Sequence, residues 1–411
     1  MSKINDLIKK LCPNGVEYKN IKDICIENFW VMPSTPKYQD NGVPYITSKN
    51  IRNGKVLFSN IKYITENDYK VISNNRLIKE DDFLISMIGT IGEVGIVKNI
   101  DLPFYGQNMY LLRLNTKVMN IRFFYHYFTS EKVRNKLLGE KNNGNQGYLK
   151  TKNIEMLNIP IPPIEVQEEI VRILDKFGEL EAELEAELEA RKSQYEFWRD
   201  KIFRFENRTD VKWLKLKDIK TEIYRGNGIK KDQVTVNGIP CVRYGEIYTT
   251  YNIWFNDCKS HTFKDVVSNP KTFTNNDLLF AITGESVEDI SKTIVYTGNE
   301  VCYAGGDTVV MKHNQNGKYL SYVLSTKDAI SQKRKGKVKS KVVHSSIPSI
   351  EEIIVPIVSL EEQKDIVKRL DHFYNIINDI TVGLPAEIEL RRKQYEYYRN
   401  KLLSFEKLEI N

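Results

Sequence analysis

An internal repeat constrains the fold of this 411-residue chain more than any other sequence feature. Five segments return in the same order, each roughly 195 to 200 residues after its first appearance. The chain is therefore predicted to contain two copies of one unit. The matched segments are 16–24 with 211–219, 41–45 with 237–241, 82–86 with 277–281, 160–167 with 356–363, and 191–196 with 391–396.

The first part of each copy is rich in Gly, Asn, Thr, Tyr and β-branched residues. Short apolar runs alternate there with turn signals such as Asn53-Gly54 and Asn316-Gly317, a pattern typical of strands joined by turns. This pattern predicts a mixed, strand-rich α/β globule in each copy. We also expect a few helices, including one over 121–138.

The second part of each copy has the pattern of a long helix. Apolar residues in 165–206 recur mostly at steps of three, four or seven, which places them on one stripe that requires a partner. The equivalent stripe in the second copy is interrupted at Gly383-Leu384-Pro385. We predict an α+β fold with two tandem-repeated α/β globules held apart by a pair of long antiparallel coiled-coil helices. The predicted boundaries are 1–158 and 207–354 for the globules, and 159–206 and 355–411 for the helices.

One tetrapeptide, Glu-Leu-Glu-Ala, occurs three times in succession over 179–190. Leu180, Leu184 and Leu188 fall on one helical face and acidic residues cover the others. This pattern favours a solvated coiled-coil stretch. We also hypothesise that its length acts as a ruler between the two globules.

Motifs for catalysis are missing from both copies. The sequence has no phosphate-binding loop, no dinucleotide-binding fingerprint and no Asn-Pro-Pro-Tyr element of the kind that holds a target base in amino-methyltransferases. The five cysteines lack zinc-ligand spacing, and no apolar run has the length of a membrane span. We therefore expect a cytoplasmic protein without catalytic residues, metal or cofactor of its own.

The formal net charge of +7 has the sign expected of a protein that binds a polyanion. Residues 333–341 carry six positive charges and no acid, and the equivalent stretch 141–152 is rich in Asn, Gly and Lys. Cations of this kind neutralise phosphates, while Asn, Gln and Arg read base edges. The DNA-binding candidates are Gly89, Thr90, Gln107, Asn108, Asn145, Gln146, Lys150, Lys152, Arg243, Tyr244, Thr283, Lys333, Arg334, Lys335, Lys337, Lys339 and Lys341.

Several long motifs resemble the specificity subunits of Type I restriction-modification systems, the HsdS family. The opening 11–18, the paired junctions 159–170 and 355–366, and the distal helix motif 383–399 carry this resemblance, which covers essentially the whole chain. The second junction has Val358-Ser359 where the first has Pro162-Pro163.

The resemblance implies a non-catalytic subunit in which each globule is a target recognition domain for one half of a bipartite, asymmetric DNA site. It implies helices that set the spacing and dock two methyltransferase subunits, which use S-adenosylmethionine, with restriction subunits in the full complex. The residues expected to pair the helices or dock subunits are Gln167, Leu180, Leu184, Leu188, Gln194, Tyr195, Arg199, Gln363, Gln394, Tyr395 and Arg399.

Three other functions remain open from the residues alone. A repressor or RNA-binding adaptor would use the same basic segments. A coiled-coil scaffold for proteins would show no salt-dependent affinity for DNA. A methyltransferase in its own right would bind S-adenosylmethionine in isolation.

Overall fold

The computed structural model describes residues 2–74, 76–98, 103–139, 149–335, 342–379 and 381–408. The chain divides into two compact units. Unit 1 contains residues 1–184 and 388–411, and unit 2 contains residues 185–387. Each unit therefore includes sequence from both copies of the repeat.

The first repeat contains six helices and eleven strands among its described residues. The helices are α1 (Ser2–Leu11), α2 (Glu66–Ser73), α3 (Ile121–Phe128), α4 (Glu131–Gly139), α5 (Thr151–Glu155) and α6 (Ile164–Ile202). The strands are β1 (Glu17–Asn20), β2 (Cys25–Val31), β3 (Val43–Ile46), β4 (Ile51–Arg52), β5 (Gly54–Val56), β6 (Lys62–Ile64), β7 (Phe83–Ser86), β8 (Val94–Ile96), β9 (Tyr105–Gly106), β10 (Met109–Leu114) and β11 (Asn158–Ile161).

The second repeat contains seven helices and thirteen strands among its described residues. The helices are α7 (Leu216–Ile219), α8 (Tyr244–Thr249), α9 (Gly317–Leu324), α10 (Lys327–Arg334), α11 (Ile347–Glu351), α12 (Leu360–Asn378) and α13 (Leu384–Leu402). The strands are β12 (Lys212–Lys215), β13 (Lys220–Arg225), β14 (Ile239–Val242), β15 (Trp254–Phe255), β16 (Ser260–Thr262), β17 (Thr272–Phe273), β18 (Leu278–Ala281), β19 (Thr283–Gly284), β20 (Thr293–Tyr296), β21 (Cys302–Ala304), β22 (Thr308–His313), β23 (Val343–His344) and β24 (Ile354–Ile357).

The main sheets of the two globules have matching strand orders. In the first the order is β2-β10-β7-β8-β5-β4, and in the second it is β13-β22-β18-β20-β15. Strands β7 and β18 are buried along their whole length, which explains why each reads as a continuous apolar run rather than as an alternating one. Phe83 of β7 packs edge-on against Phe124 of α3, with 4.8 Å between ring centroids. The repeat predicted from the sequence is thus a repeat of structure.

The single helix predicted over 121–138 is wrong, because two helices occupy this region. Helix α3 ends where the hydroxyls of Thr129 and Ser130 donate to the carbonyls of Tyr125 and Tyr127, each at 2.7 Å. Such bonds satisfy carbonyls at a helix end and compete with continuation of the helix. The second globule ends α9 in the same way, since Ser325 and Thr326 donate to the carbonyls of Tyr322 and Val323.

Helix α6 has 39 residues and is continuous, whereas its counterpart is broken into α12 and α13 at the predicted Gly-Leu-Pro segment. A Cβ atom on Gly383 would lie 2.6 Å from the carbonyl oxygen of Asp379, so this turn requires glycine. Both repeats thus end in helix, and the predicted α+β fold class with two repeated globules and a long connecting helix is confirmed.

The two halves of α6 pack in different units. In unit 1, Phe177 stacks on Tyr398 with 5.3 Å between centroids, and Glu181 pairs with Arg392 at 2.5 Å. Residue numbers rise along α6 as they fall along α13, so these segments are antiparallel. In unit 2, Tyr195 of α6 lies 6.3 Å from Tyr374 of α12, centroid to centroid.

The segment after α13 completes unit 1. Val16 donates its amide to Glu406 O and accepts at its carbonyl from Leu408 N, both at 2.9 Å. The hydroxyl of Tyr18 donates to Phe405 O at 3.0 Å. Residues nearly 400 positions apart therefore belong to one folding unit. The unit boundaries follow this packing rather than the repeat, and the domain boundaries at 158, 206 and 354 stay predictions.

Candidate nucleic-acid interface

The first globule brings four of the predicted DNA-binding residues together in a group of loops, which we call the first loop cluster (46–48, 86–92 and 106–108). Gly89 has a φ of +83° and approaches Ser48. Thr90 donates its hydroxyl to Ser48 O at 3.0 Å. The backbone amide of Gln107 donates to Ile46 O at 3.2 Å, and the backbone carbonyl of Asn108 accepts from Met87 N at 3.0 Å. Backbone hydrogen bonds thus fix these three loops against one another.

The amide side chain of Gln107 is held in this cluster by two hydroxyls. Its Oε1 accepts from Tyr45 at 3.3 Å and from Thr35 at 3.4 Å. Because both contacts are to the oxygen, neither uses the amide NH₂ group, which is the donor that reads adenine N7 or another acceptor.

The second globule has an equivalent group, the second loop cluster (225–228, 242–244, 282–290 and 305–307). Gly305 N donates to Val242 O at 2.8 Å, beside Arg243, and Ile282 N donates to Asp307 O at 3.0 Å. The latter bond corresponds to that between Met87 and Asn108. Arg243, Tyr244 and Thr283 are half-buried. The predicted candidates in this globule are therefore also near one another.

Described residues that flank the basic segments are hydrogen-bonded to these clusters. Leu149 N donates to Met87 O at 3.3 Å. Lys150 and Lys152, which come next along the chain, are exposed. Thr283 Oγ1 lies 3.2 Å from His344 Nδ1. Arg334 donates twice to Glu288 O, and Lys335 is exposed. The other basic-segment candidates, Asn145, Gln146, Lys337, Lys339 and Lys341, lie outside the described residues.

Lys333 requires a correction, because its side chain is buried and not available to a phosphate. Its ammonium donates to Thr293 Oγ1 at 2.9 Å and to Leu324 O at 2.7 Å, and the residue is 6% exposed. Burial lowers the pKa of Lys333 to about 7. The sequence shows a run of basic residues but not the direction of each side chain. Lys333 is buried because α10 presents this position to the core.

Sequence reasoning missed Arg225, an exposed cation that the second cluster holds in a defined position. Its Nε donates to Gly306 O at 2.6 Å and its Nη2 donates to the carboxylate of Asp307. The sequence did contain a signal for this site. Gly306-Asp307 and Gln107-Asn108 occupy equivalent positions in the two repeats but differ in side chain.

Gln167 and Gln363 also require a correction, because they are buried against their own globules rather than placed to pair the long helices or to meet another subunit. Gln167 is fully buried, and its side chain accepts from Asn120 N at 2.7 Å and donates to Val118 O and Pro162 O. Gln363 accepts in the same way from Asn316 N at 2.9 Å. Each glutamine joins the start of a long helix to the N-terminus of α3 or α9, so a docking role is excluded by burial.

A charged network, missed from the sequence, supplements each glutamine. In unit 1, Asp175 accepts from His126 Nε2 at 2.7 Å and from Arg122 Nη2 at 2.6 Å. Burial acts to raise the pKa of Asp175, but these two hydrogen bonds more than offset it and hold the pKa at about 2. In unit 2, Asp371 accepts from Tyr322 at 2.6 Å and Lys318 at 2.8 Å. The carboxylates therefore fix the orientation of each globule on its own helix segment.

The remaining predicted helix residues have mixed environments. Tyr395 contacts His126 Nδ1 at 3.0 Å, and the guanidinium of Arg399 lies 5.1 Å from the Tyr395 ring. Arg199 repeats this contact over Tyr195 at 5.7 Å. Gln194 and Gln394 each accept from the arginine three positions earlier, Arg191 or Arg391. Leu180, Leu184 and Leu188 are half-buried. Subunit docking by these residues stays a prediction.

No helix among the described residues combines the length and the apolar character needed to cross a bilayer. Within the same residues, no group of three His, Cys, Asp or Glu side chains is placed to hold a metal ion.

Comparison with known families matches most of the chain. Residues 13–190 and 209–390 each match the family described as the Type I restriction modification DNA specificity domain. The chain is 30% identical over 269 residues to the Type I restriction enzyme EcoR124I/EcoR124II specificity subunit of Escherichia coli, covering 62% of this chain and 65% of that protein. It is 30% identical over 300 residues to a type I restriction enzyme specificity subunit of Haemophilus influenzae, covering 70% and 73%.

Solved structures also align with most of the chain. A chain from a structure of the type I restriction-modification system aligns with a TM-score of 0.67 at 14% identity, covering 95% of this chain and 98% of that one. At this identity the match shows a common fold. The HsdS subunit of Thermoanaerobacter tengcongensis aligns with a TM-score of 0.48 at 15% identity, covering 96% and 97%.

Proposed function

We propose a function from the premise that this chain belongs to the family of Type I restriction-modification DNA specificity subunits, as its two matched domains show. It is a specificity subunit with two target recognition domains, and members of this family are not catalysts themselves. We infer that each domain reads one half of a bipartite, asymmetric DNA site through its loop cluster.

The duplicated loop cluster with different side chains is the observation that carries this proposal. The same backbone bond links Met87 to Asn108 in one globule and Ile282 to Asp307 in the other. The side chains on this shared frame differ, with Gln107 and Asn108 in place of Gly306 and Asp307. Base edges are read by side chains, whereas a shared frame fixes only where they lie. Two such clusters suit two different half-sites.

We further propose that the helical segments set the half-site spacing and dock two methyltransferase subunits, with restriction subunits joining the full complex. The S-adenosylmethionine cofactor would bind the methyltransferase subunits. The assembly would act in the cytoplasm, where the host DNA lies. Two readers on one rigid connector bind tightly only when both half-sites lie at the matching distance.

A salt titration of DNA binding tests this function. The chain, co-expressed with a methyltransferase subunit from the same host, is titrated into labelled host DNA fragments at about 50 to 200 mM salt. We expect affinity to fall steeply with salt, because bound phosphates release counterions on neutralisation. A protein scaffold would instead give no salt-dependent affinity, which would contradict the proposal.

A further inference from the structure

One exposed position of the second loop cluster holds an arginine in a fixed orientation. Arg225 lies at the end of β13, and its side chain is 59% exposed. We propose that Arg225, held by Asp307, reads a guanine in the half-site of the second recognition domain. This inference rests on the proposed function and names a specificity residue within it.

The hydrogen bonds of Arg225 leave a guanine-reading edge unused. A guanidinium has five N–H donors in a rigid plane. Nε donates to Gly306 O at 2.6 Å, and one Nη2 hydrogen goes to Asp307. Among the described residues, these contacts leave both Nη1 hydrogens and one Nη2 hydrogen without a partner. That pair of nitrogens matches the O6 and N7 acceptors of guanine in the major groove, the commonest specific arginine contact.

The backbone beneath Arg225 is closely packed, so the side chain projects from a defined platform. A Cβ atom on Gly226 would lie 2.3 Å from Gly305 O, and one on Gly306 would lie 3.1 Å from Gly228 Cα. The carbonyl of Asp307 is held by Ile282 N at 3.0 Å. An arginine that is already oriented loses less conformational entropy when it binds a base.

The ion pair between Arg225 and Asp307 is not explained by a contribution to folding stability. Asp307 is 31% exposed and Arg225 more so, and solvent screens ion pairs of this exposure so that they contribute little to folding stability. A carboxylate beside a DNA-binding loop also repels phosphates unless it serves the cation next to it. Orientation of the guanidinium accounts for both features.

The first recognition domain has different chemistry at the matched place. Tyr224 pairs with Val310 in the second sheet as Phe29 pairs with Leu111 in the first, so Arg225 corresponds to Trp30. Asp307 corresponds to Asn108 by the backbone bond described above. The guanine contact therefore belongs to one half-site only, and the other half-site is an internal control.

The test uses the complex with its methyltransferase subunits and a randomised DNA library whose adenine methylation is read by sequencing. Arg225→Lys keeps the charge but loses the two-pronged geometry. We expect preference for one G·C pair in one half-site to fall about tenfold or more, with less loss in Asp307→Asn. Arg208→Lys, which alters a similar arginine pair with Asp210 outside the cluster, is expected to leave every preference unchanged.

A second experiment tests the contact with guanine directly and distinguishes failure of the Arg225 assignment from failure of the proposed function. Replacing that guanine by 7-deazaguanine removes N7 and is expected to weaken wild-type binding more than binding by Arg225→Lys, because only arginine donates to N7 and O6 from a rigid plane. Three results would overturn the assignment to Arg225. They are an unchanged base preference in Arg225→Lys, an equal weakening of preference at every base position, and a half-site that contains no G·C pair. Wild-type complex that methylates no bipartite site at all overturns the proposed function itself.

Discussion

Individual residues show where charge in the sequence and charge at the surface differ. Lys333 belongs to a run of basic residues, yet its ammonium is enclosed by Thr293 and the Leu324 carbonyl. Arg225 stands outside that run, yet it is exposed and oriented. Composition predicts that cations are present, but only the inward face of α10 and the end of β13 determine which of them can meet a phosphate or a base.

The burial of Lys333 predicts a pH-dependent stability. Its folded-state pKa is lowered by burial to about 7, against about 10.4 for an unfolded lysine. Between these values the unfolded chain binds more protons, so the free energy of unfolding rises with pH above about 7. We expect Lys333→Met to remove about 1–3 kcal/mol of the gain between pH 7 and pH 9, measured by urea denaturation.

Lys335→Met is the matched control, because Lys335 is exposed in the same helix end. It is expected to keep the wild-type rise in stability. Equal slopes for wild type and Lys333→Met would show that Lys333 is not buried as a neutral amine.

At the scale of elements, periodicity predicted what is local and missed what is long-range. The buried runs at β7 and β18, the long helix α6 and the break before α13 follow from apolar spacing and from Gly383 and Pro385. The split between α3 and α4 depends on two hydroxyls that the apolar pattern does not reveal. The joining of 405–408 to Val16 depends on residues too distant for any local pattern.

The segment after α13 is expected to stabilise unit 1 selectively. Ending the chain after Leu402 removes buried Leu403 and the backbone bonds to Val16. Loss of one buried leucine costs about 2–5 kcal/mol. Limited proteolysis should therefore cut within 1–184 sooner than in the wild type, while unit 2 resists as before. A chain lacking only 409–411 is the control, and equal resistance of unit 1 in the truncated chain would refute the assignment.

The repeated tetrapeptide in α6 is expected to control spacing. Deleting residues 179–182 shortens a continuous helix by about 6 Å. That change corresponds to one or two base pairs at about 3.4 Å each. We expect the unread spacer of the methylated site to change by that amount, while Glu183→Gln, at unchanged length, preserves it. An unchanged spacer after the deletion would show that the ruler hypothesis is wrong.

At the scale of the whole molecule, the repeat accounts for both the similarity and the difference between the halves. Both globules are fixed to helix by a buried glutamine and a carboxylate network, Gln167 with Asp175 and Gln363 with Asp371. The loop clusters keep their backbone bonds and change their side chains. Retained anchors with altered loop side chains suit the two-part, asymmetric site that we propose.

The most direct test of this account is a map of adenine methylation across the host genome, with and without the gene, by single-molecule sequencing. Loss of one split, asymmetric motif on deletion is the predicted result, and it would reveal both half-sites and the spacer. Reintroducing the gene should restore the same motif. An unchanged methylation map, in a host shown to express the chain and its methyltransferase subunit, would contradict the central claim.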